Sequence, residues 1–184
     1  MQVNVYTGVG SRNITPKERS TIISVAAFLS NQGYTVRSGK ALGADTAFAM
    51  GAVSNDHHRL VNYVPWKRFN NQEFGGDYYD KVLDDCNYDF CYQLAEQIHP
   101  AWERCSPAAK RLHARNILQV LGDHCNEPSK FLLACSDEDK HGDVKGGTRT
   151  AWMCAKQYAV PVFNIRNRTK QELWAFLEPI LDKR

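Results

Sequence analysis

Short runs of apolar residues alternate along this chain with longer stretches in which apolar residues recur every three or four positions. The first pattern is typical of buried strands and the second of amphipathic helices. Strands and helices that alternate in this way form βαβ units around a parallel sheet. The pattern predicts about six helices and five strands, the strands over residues 3–6, 34–36, 60–64, 131–135 and 160–165.

These elements predict a single α/β domain over residues 1–184, with a Rossmann-like three-layer α/β/α architecture. The sheet is expected to be parallel and five-stranded, in the order 3-2-1-4-5. Two consecutive helical patterns interrupt the alternation and predict a helical insertion at about 77–122. The second of these helices begins at Ser106-Pro107, and the first is marked by the apolar residues Tyr79, Leu83, Cys86, Phe90 and Leu94.

The first helix carries a complete start signal. Thr15 is suited to the N-cap, Pro16 to the first turn, and Glu18 stands three residues after the cap, as in a capping box. Gly33 is expected to end the helix, because glycine is common just past the last helical turn.

Composition places few further limits on the class of protein. The hydrophobic content of 43% is ordinary, and the net charge of +3 allows an anionic ligand without predicting a surface that coats nucleic acid. No signal peptide and no membrane-spanning run is visible, so a cytoplasmic location without membrane contact is expected.

The six cysteines form no C-x-x-C pair and are expected to be reduced thiols. His124-Cys125 and the nearby His113 match no zinc pattern, so no metal is expected.

Three glycine-rich segments lie where a predicted strand gives way to a helix. In a parallel sheet, all such junctions lie on the same edge. Helix N-termini there offer unpaired N–H groups, and glycines let the backbone approach an anion closely. The segments therefore predict a pocket for a phosphorylated ligand. They read TGVGSR over 7–12, SGKALGAD over 38–45 and GGTRT over 146–150.

Two common nucleotide motifs are missing from these segments. The chain contains no G-x-x-x-x-G-K-[ST] loop, and the first segment lacks the third glycine of G-x-G-x-x-G. ATP hydrolysis and NAD-linked hydride transfer are therefore disfavoured.

The glycine segments resemble those of the SLOG group of Rossmann-like proteins, which includes DprA/Smf, the LOG nucleotide phosphoribohydrolases and small YspA-type proteins. VGSR over 9–12 resembles the G-S-R motif of the group, and GGTRTA over 146–151 resembles its late G-G-T element. RSGKALGADTAF over 37–48 is similar to the DprA signature S-G-x-A-x-G-[IA]-D-x-A, with Lys40 where glycine is common. The resemblance covers the whole α/β scaffold, with the motifs in the correct order.

The resemblance implies a pocket for a nucleotide or a nucleotide-derived ligand, with no other cofactor. Arg12 would pair with a phosphate, although it could also be an ordinary surface arginine. Asp45 would hold a ribose hydroxyl or act as a base, or else only cap its helix. The expected ligand-binding residues are Gly8, Gly10, Ser11, Arg12, Ser38, Gly39, Lys40, Gly43, Ala44, Asp45, Trp66, Arg115, Gly146, Gly147 and Thr148.

Two of these residues come from outside the glycine segments. Arg115 lies on a helix that resembles one in LOG-like proteins carrying a pocket-facing arginine; the alternative is a solvated basic face. Trp66 follows the third strand and could stack a base or pack under its own loop.

The chain departs from the LOG enzymes at the residue that performs their chemistry. When residues 146–153 are aligned with the G-G-x-G-T-x-x-E element of these enzymes, Met153 stands in place of the catalytic glutamate. A thioether can neither move a proton nor stabilise an oxocarbenium ion. Whether the chain is an enzyme is therefore left open, with Asp45 and Arg115 as candidate catalytic residues.

Three functions are compatible with these observations. The first is binding of a nucleotide or phosphoribosyl-containing ligand, for sensing or sequestration. The second is LOG-like phosphoribohydrolase or N-glycosidase activity, with Asp45 or a carboxylate of the 137–143 loop in place of the missing glutamate. The third is DprA-like binding of single-stranded DNA, which the small net charge and the lack of a separate basic or winged-helix domain in this sequence disfavour. The expected partner is thus a nucleotide-type small molecule rather than nucleic acid. Because members of the group often assemble through their helices, a homo-oligomer is also allowed.

Overall fold

A computed structural model describes residues 4–71 and 77–181 of the chain. Residue 3 of the first predicted strand lies outside these ranges, as do residues 72–76 and both ends of the predicted domain. Six strands form one sheet in which every neighbouring pair is parallel. They are β1 (Val5–Gly10), β2 (Thr35–Ser38), β3 (Leu60–Val64), β4 (Asp80–Val82), β5 (Leu132–Cys135) and β6 (Val162–Asn164).

The sheet corrects the predicted strand count and order. Its order is β4-β3-β2-β1-β5-β6, so a sixth strand lies outside the five that were predicted. The additional strand β4 comes from a segment whose apolar spacing predicted a helix from Tyr79. Instead Asp80–Val82 pairs with β3, and a short 3-10 turn follows at Leu83–Asp85. The open edge of β3 offers unpaired backbone groups, and satisfying them outweighs a weak helical pattern.

Within the described residues, six helices cover the two faces of the sheet. They are α1 (Pro16–Asn31), α2 (Ala44–Val53), α3 (Tyr88–Ile98), α4 (Pro107–Leu121), α5 (Arg149–Gln157) and α6 (Lys170–Leu181). Buried residues of α1, α2 and α6 form one core, and those of α3, α4 and α5 form the other. Neighbouring residues of β5 point into opposite cores: Leu132 joins the second and Leu133 the first. The predicted α/β architecture, with helices on both sides of a parallel sheet, is confirmed.

The helix boundaries that carried clear capping signals lie where the sequence predicted them. Thr15 Oγ1 accepts the amide of Glu18 at 3.1 Å, and the Glu18 carboxylate accepts the amide of Thr15 at 2.7 Å. This is the predicted capping box of α1. Ser106 Oγ likewise accepts the amide of Ala109 at the start of α4. Among the described residues, no helix is long and apolar enough to cross a membrane.

Candidate functional site

The three glycine junctions and helix α4 enclose a cavity of about 390 Å³ at the carboxyl ends of β1 and β5. This size lies within the range of small-molecule sites, about 300–1,000 Å³. Eight of the predicted residues line the cavity, together with several that the prediction did not include. The predicted ones are Gly10, Ser11, Arg12, Asp45, Arg115, Gly146, Gly147 and Thr148; the others include Ser136, Asp137 and Lys145.

The remaining predicted residues lie outside the cavity lining. Gly8 lies in the packed centre of the sheet, where a Cβ would come within 2.7 Å of the Phe48 ring. The Ser38 hydroxyl is buried and donates to the carbonyl of Gly8 at 2.7 Å. These two residues hold β1 and β2 together and present no polar group to a ligand.

Gly43 and Ala44 join the first junction to the second. Gly43 has a φ of +81°, and a Cβ there would overlap the backbone of Arg12. The amide of Ala44 donates to the carbonyl of Ser11 at 3.0 Å. Glycine is needed here because the left-handed backbone and the close approach of the first junction both exclude a side chain.

Lys40 and Trp66 are engaged with other side chains. The Lys40 ammonium forms a buried ion pair with Asp80 at 2.6 Å, and both side chains are almost fully buried. Lys40 also has a φ of +57°, a conformation that explains why glycine is common at this position of the DprA signature. Trp66 lies edge-on to Phe69 at 5.4 Å, and Phe69 in turn contacts the guanidinium of Arg115.

Asp45 lies on the floor of the cavity and faces the backbone of two junctions. Its carboxylate accepts the amide of Ala41 at 3.2 Å and is also stabilised by the amides of Gly10 and Gly39. Burial nevertheless raises the pKa of Asp45 to about 6, against the opposing effects of Arg115 and these amides. The Asp45 carboxylate therefore accepts hydrogen bonds from backbone amides that the glycine segments were predicted to offer to a phosphate.

Arg115 closes the cavity beside Asp45. Its guanidinium donates to the carbonyls of Gly39 and Tyr63, so α4 is fixed against the ends of β2 and β3. A Cβ on Gly39 would overlap this guanidinium, so the glycine at this position makes room for an arginine rather than for a ligand. Burial lowers the pKa of Arg115 to about 10, a value that keeps the side chain cationic at neutral pH.

Arg12 and Lys145 are the exposed cations of the cavity wall. Within residues 4–71 and 77–181, neither side chain has an ion-pair partner. Other cations nearby are paired: Arg149 binds Asp139 at 3.0 Å, and Arg166 binds Glu18 at 2.7 Å. Lys145 was missed by the sequence analysis, although it directly precedes the Gly146-Gly147 pair.

His113 and Asn116 connect α4 to the third junction. Asn116 Nδ2 donates to the carbonyl of Gly147 at 2.7 Å, and His113 Nδ1 lies 2.8 Å from the hydroxyl of Thr150. Burial and the neighbouring His99 lower the pKa of His113 to about 4, so its imidazole is neutral at physiological pH. Met153, at the position of the LOG glutamate, packs against the core of α3, α4 and α5.

Comparisons with known proteins identify the fold. No family model and no curated protein matches the sequence. A solved structure of DNA processing protein A from Helicobacter pylori, described for its single-stranded DNA binding mode, matches with a TM-score of 0.59 and 18% identity. The match covers 98% of this chain and 74% of that one. DprA from Streptococcus pneumoniae matches with a TM-score of 0.55 and 18% identity over 98% of this chain and 56% of that one.

The predicted resemblance to DprA is therefore confirmed at the level of the fold. The expectation that disfavours nucleic acid as a partner is corrected, because the H. pylori protein with this fold binds single-stranded DNA. That expectation relied in part on the net charge of the whole chain. Phosphate binding depends instead on where unpaired cations lie, and here two of them line one cavity.

Proposed function

We propose that this chain binds single-stranded DNA, with a phosphate of the strand held at the cavity between Arg12 and Lys145. The observation that carries the proposal is the pair of exposed, unpaired cations on the wall of a cavity at the carboxyl edge of the sheet. The shared fold with a single-stranded DNA-binding protein over 98% of the chain supports it.

The two cations suit different parts of this task. The planar guanidinium of Arg12 can donate two parallel hydrogen bonds to phosphate oxygens, whereas Lys145 acts as a point charge. Lys145 also leads into the turn Gly146–Thr148, whose first amides have no partner within the turn and can donate to an anion. Contacts of this kind bind the phosphate backbone of the strand and do not distinguish one base from another.

Fluorescence anisotropy of a labelled oligothymidylate, titrated with the protein over a range of salt concentrations, tests the proposal. We expect Arg12→Gln and Lys145→Gln each to weaken binding and to reduce the slope of log affinity against log salt by about 0.7, the value for one phosphate contact on a single strand. Lys170→Gln is the matched control, because it removes the same charge from an exposed position outside the cavity. Equal losses in all three variants, or no binding at low salt, would contradict the proposal.

A second candidate function is binding of a free nucleotide or phosphoribosyl ligand. It is favoured by the buried Asp45 carboxylate on the cavity floor, which can accept hydrogen bonds from ribose hydroxyls. Mononucleotides that displace the oligonucleotide at micromolar concentration would support this candidate over the first.

Asp45, with a pKa of about 6, is also the acid–base candidate for a LOG-like hydrolysis. Proton NMR of nucleotides incubated with the protein and with Asp45→Asn would detect release of the base.

A further inference from the structure

Three metal-ligand side chains meet beside the cavity, from segments that the sequence analysis did not connect. His99 directly follows α3, Cys105 follows the short 3-10 turn Trp102–Arg104, and His113 lies on α4. Their ligand atoms all lie within 4.8 Å of one another, and all three residues are half-buried. The Cys105 thiol is 3.8 and 3.9 Å from the two ring nitrogens of His99.

The spacing is close to that of a tetrahedral zinc site. Zinc binds cysteine sulfur at about 2.3 Å and histidine nitrogen at about 2.0 Å, so two such ligands lie about 3.5 Å apart. Side-chain rotations need to bring the ligand atoms only about 1 Å closer together to reach this spacing. Cavities of about 290 Å³ and 450 Å³ flank His99 and leave room for these rotations.

A supporting hydrogen bond orients one ligand. The Thr150 hydroxyl lies 2.8 Å from His113 Nδ1, an arrangement that leaves Nε2 of the same ring for a metal. Histidine ligands almost always make such a hydrogen bond through their second nitrogen, because it fixes the ring orientation.

We propose that His99, Cys105 and His113 bind a zinc-class transition-metal ion through three protein ligands. The smaller flanking cavity is lined by His99 and His113 and shares Gly146 and Gly147 with the main cavity. This cavity provides space beside two of the three ligands for a fourth ligand, such as water or a phosphate oxygen. Sites with three protein ligands and one open position are typical of reactive rather than structural zinc.

This proposal departs from the sequence-based expectation that no metal is bound. That expectation considered His113 together with His124-Cys125. In the structure the Cys125 thiol lies 3.4 Å from Cys91 instead, and the cluster takes its cysteine from the loop between α3 and α4. The proposed metal binding does not require that the chain bind DNA, because none of its three ligands belongs to the pair Arg12 and Lys145.

Titration of the protein with Co²⁺ tests the proposal, because a cobalt–thiolate bond gives a charge-transfer band. We expect one Co²⁺ per chain with this band, and equimolar Zn²⁺ should displace it. Cys105→Ser should abolish the band, and His99→Ala or His113→Ala should weaken binding by more than about 100-fold, beyond the loss seen for outer-shell partners. The matched controls Cys86→Ser and His124→Ala should bind as the unmodified chain does.

A measurement without substitutions keeps the test valid if a variant fails to fold. Zn²⁺ should slow alkylation of Cys105 by iodoacetamide, followed by peptide mass spectrometry, and leave the rate at Cys86 unchanged. A band that survives in Cys105→Ser, or cobalt binding without any thiolate band, would overturn the proposal. The second result would indicate the surface group Asp56, His57 and His58 as the binding site.

Discussion

Asp45 and Arg115 form an electrostatic pair on the floor of the cavity, and each side chain is almost fully buried. Burial penalises both charges, whereas each charge partly stabilises the other. Arg115 keeps its proton because its pKa falls only to about 10. Asp45 has a raised pKa of about 6 and is therefore the member of the pair whose charge changes near neutral pH.

Asp45 should make stability depend on pH. Because the pKa of Asp45 is higher in the folded than in the unfolded state, its contribution is greatest below about pH 4 and is lost as pH rises through about 6. The corresponding change in unfolding free energy is about 3 kcal/mol. The Asp45→Asn variant has no carboxyl group at this position and lacks this pH-dependent change. In urea denaturation, the unfolding free energy of the variant relative to that of the unmodified chain should therefore rise by about 3 kcal/mol between acid and neutral pH. A difference that does not vary with pH would contradict the assigned pKa.

Arg115 should contribute more to folding than a basic residue on a solvated helix face does. Arg115→Met leaves the buried carbonyls of Gly39 and Tyr63 without their donor and removes the counter-charge of Asp45. We expect a loss of about 3 kcal/mol in unfolding free energy. Lys110→Met, on the same helix, removes only a contact with the Trp102 ring and should cost less than about 1 kcal/mol. Equal losses in urea denaturation would indicate that Arg115 has no special role.

Substitution of glycine by alanine in the glycine segments should lower stability at packed positions and leave it unchanged at open positions of the cavity lining. Gly39→Ala forces the Arg115 guanidinium to move and should cost about 2 kcal/mol. At Gly147 a Cβ meets nothing within 4 Å, so Gly147→Ala should change stability by less than about 0.5 kcal/mol. Thermal unfolding of the two variants makes the comparison. A stable Gly39→Ala protein would show that the close approach of α4 is not required.

Lys40 should behave as a structural residue. Lys40→Met leaves the Asp80 carboxylate buried without a partner, and removal of one member of a buried pair costs about 3–5 kcal/mol. Asp80→Asn together with Lys40→Met should recover part of this loss, because no uncompensated charge remains. A stable Lys40→Met variant that loses DNA affinity would instead place Lys40 among the ligand-binding residues.

The sequence by itself was enough to predict the elements whose signals are local. Hydrophobic periodicity and caps such as Thr15 identify α1, because the residues that decide it lie within a few positions of one another. The convergence of the glycine junctions also followed from sequence, since strand–helix junctions of a parallel sheet share one edge. These signals were sufficient for the α/β architecture and for the location of the candidate site.

Only the tertiary structure decided which side chains meet at that site. Strand β4 forms because the edge of β3 is available, and its Asp80 then binds Lys40. Helix α4 brings Arg115 over the second junction, where Asp45 already engages the backbone amides. The loop before α4 brings Cys105 to His113. The pairings of Lys40 with Asp80 and of Arg115 with Gly39 join residues far apart in the chain. A pattern of local spacing carries no information about such pairs, because the packing of whole elements determines their distances.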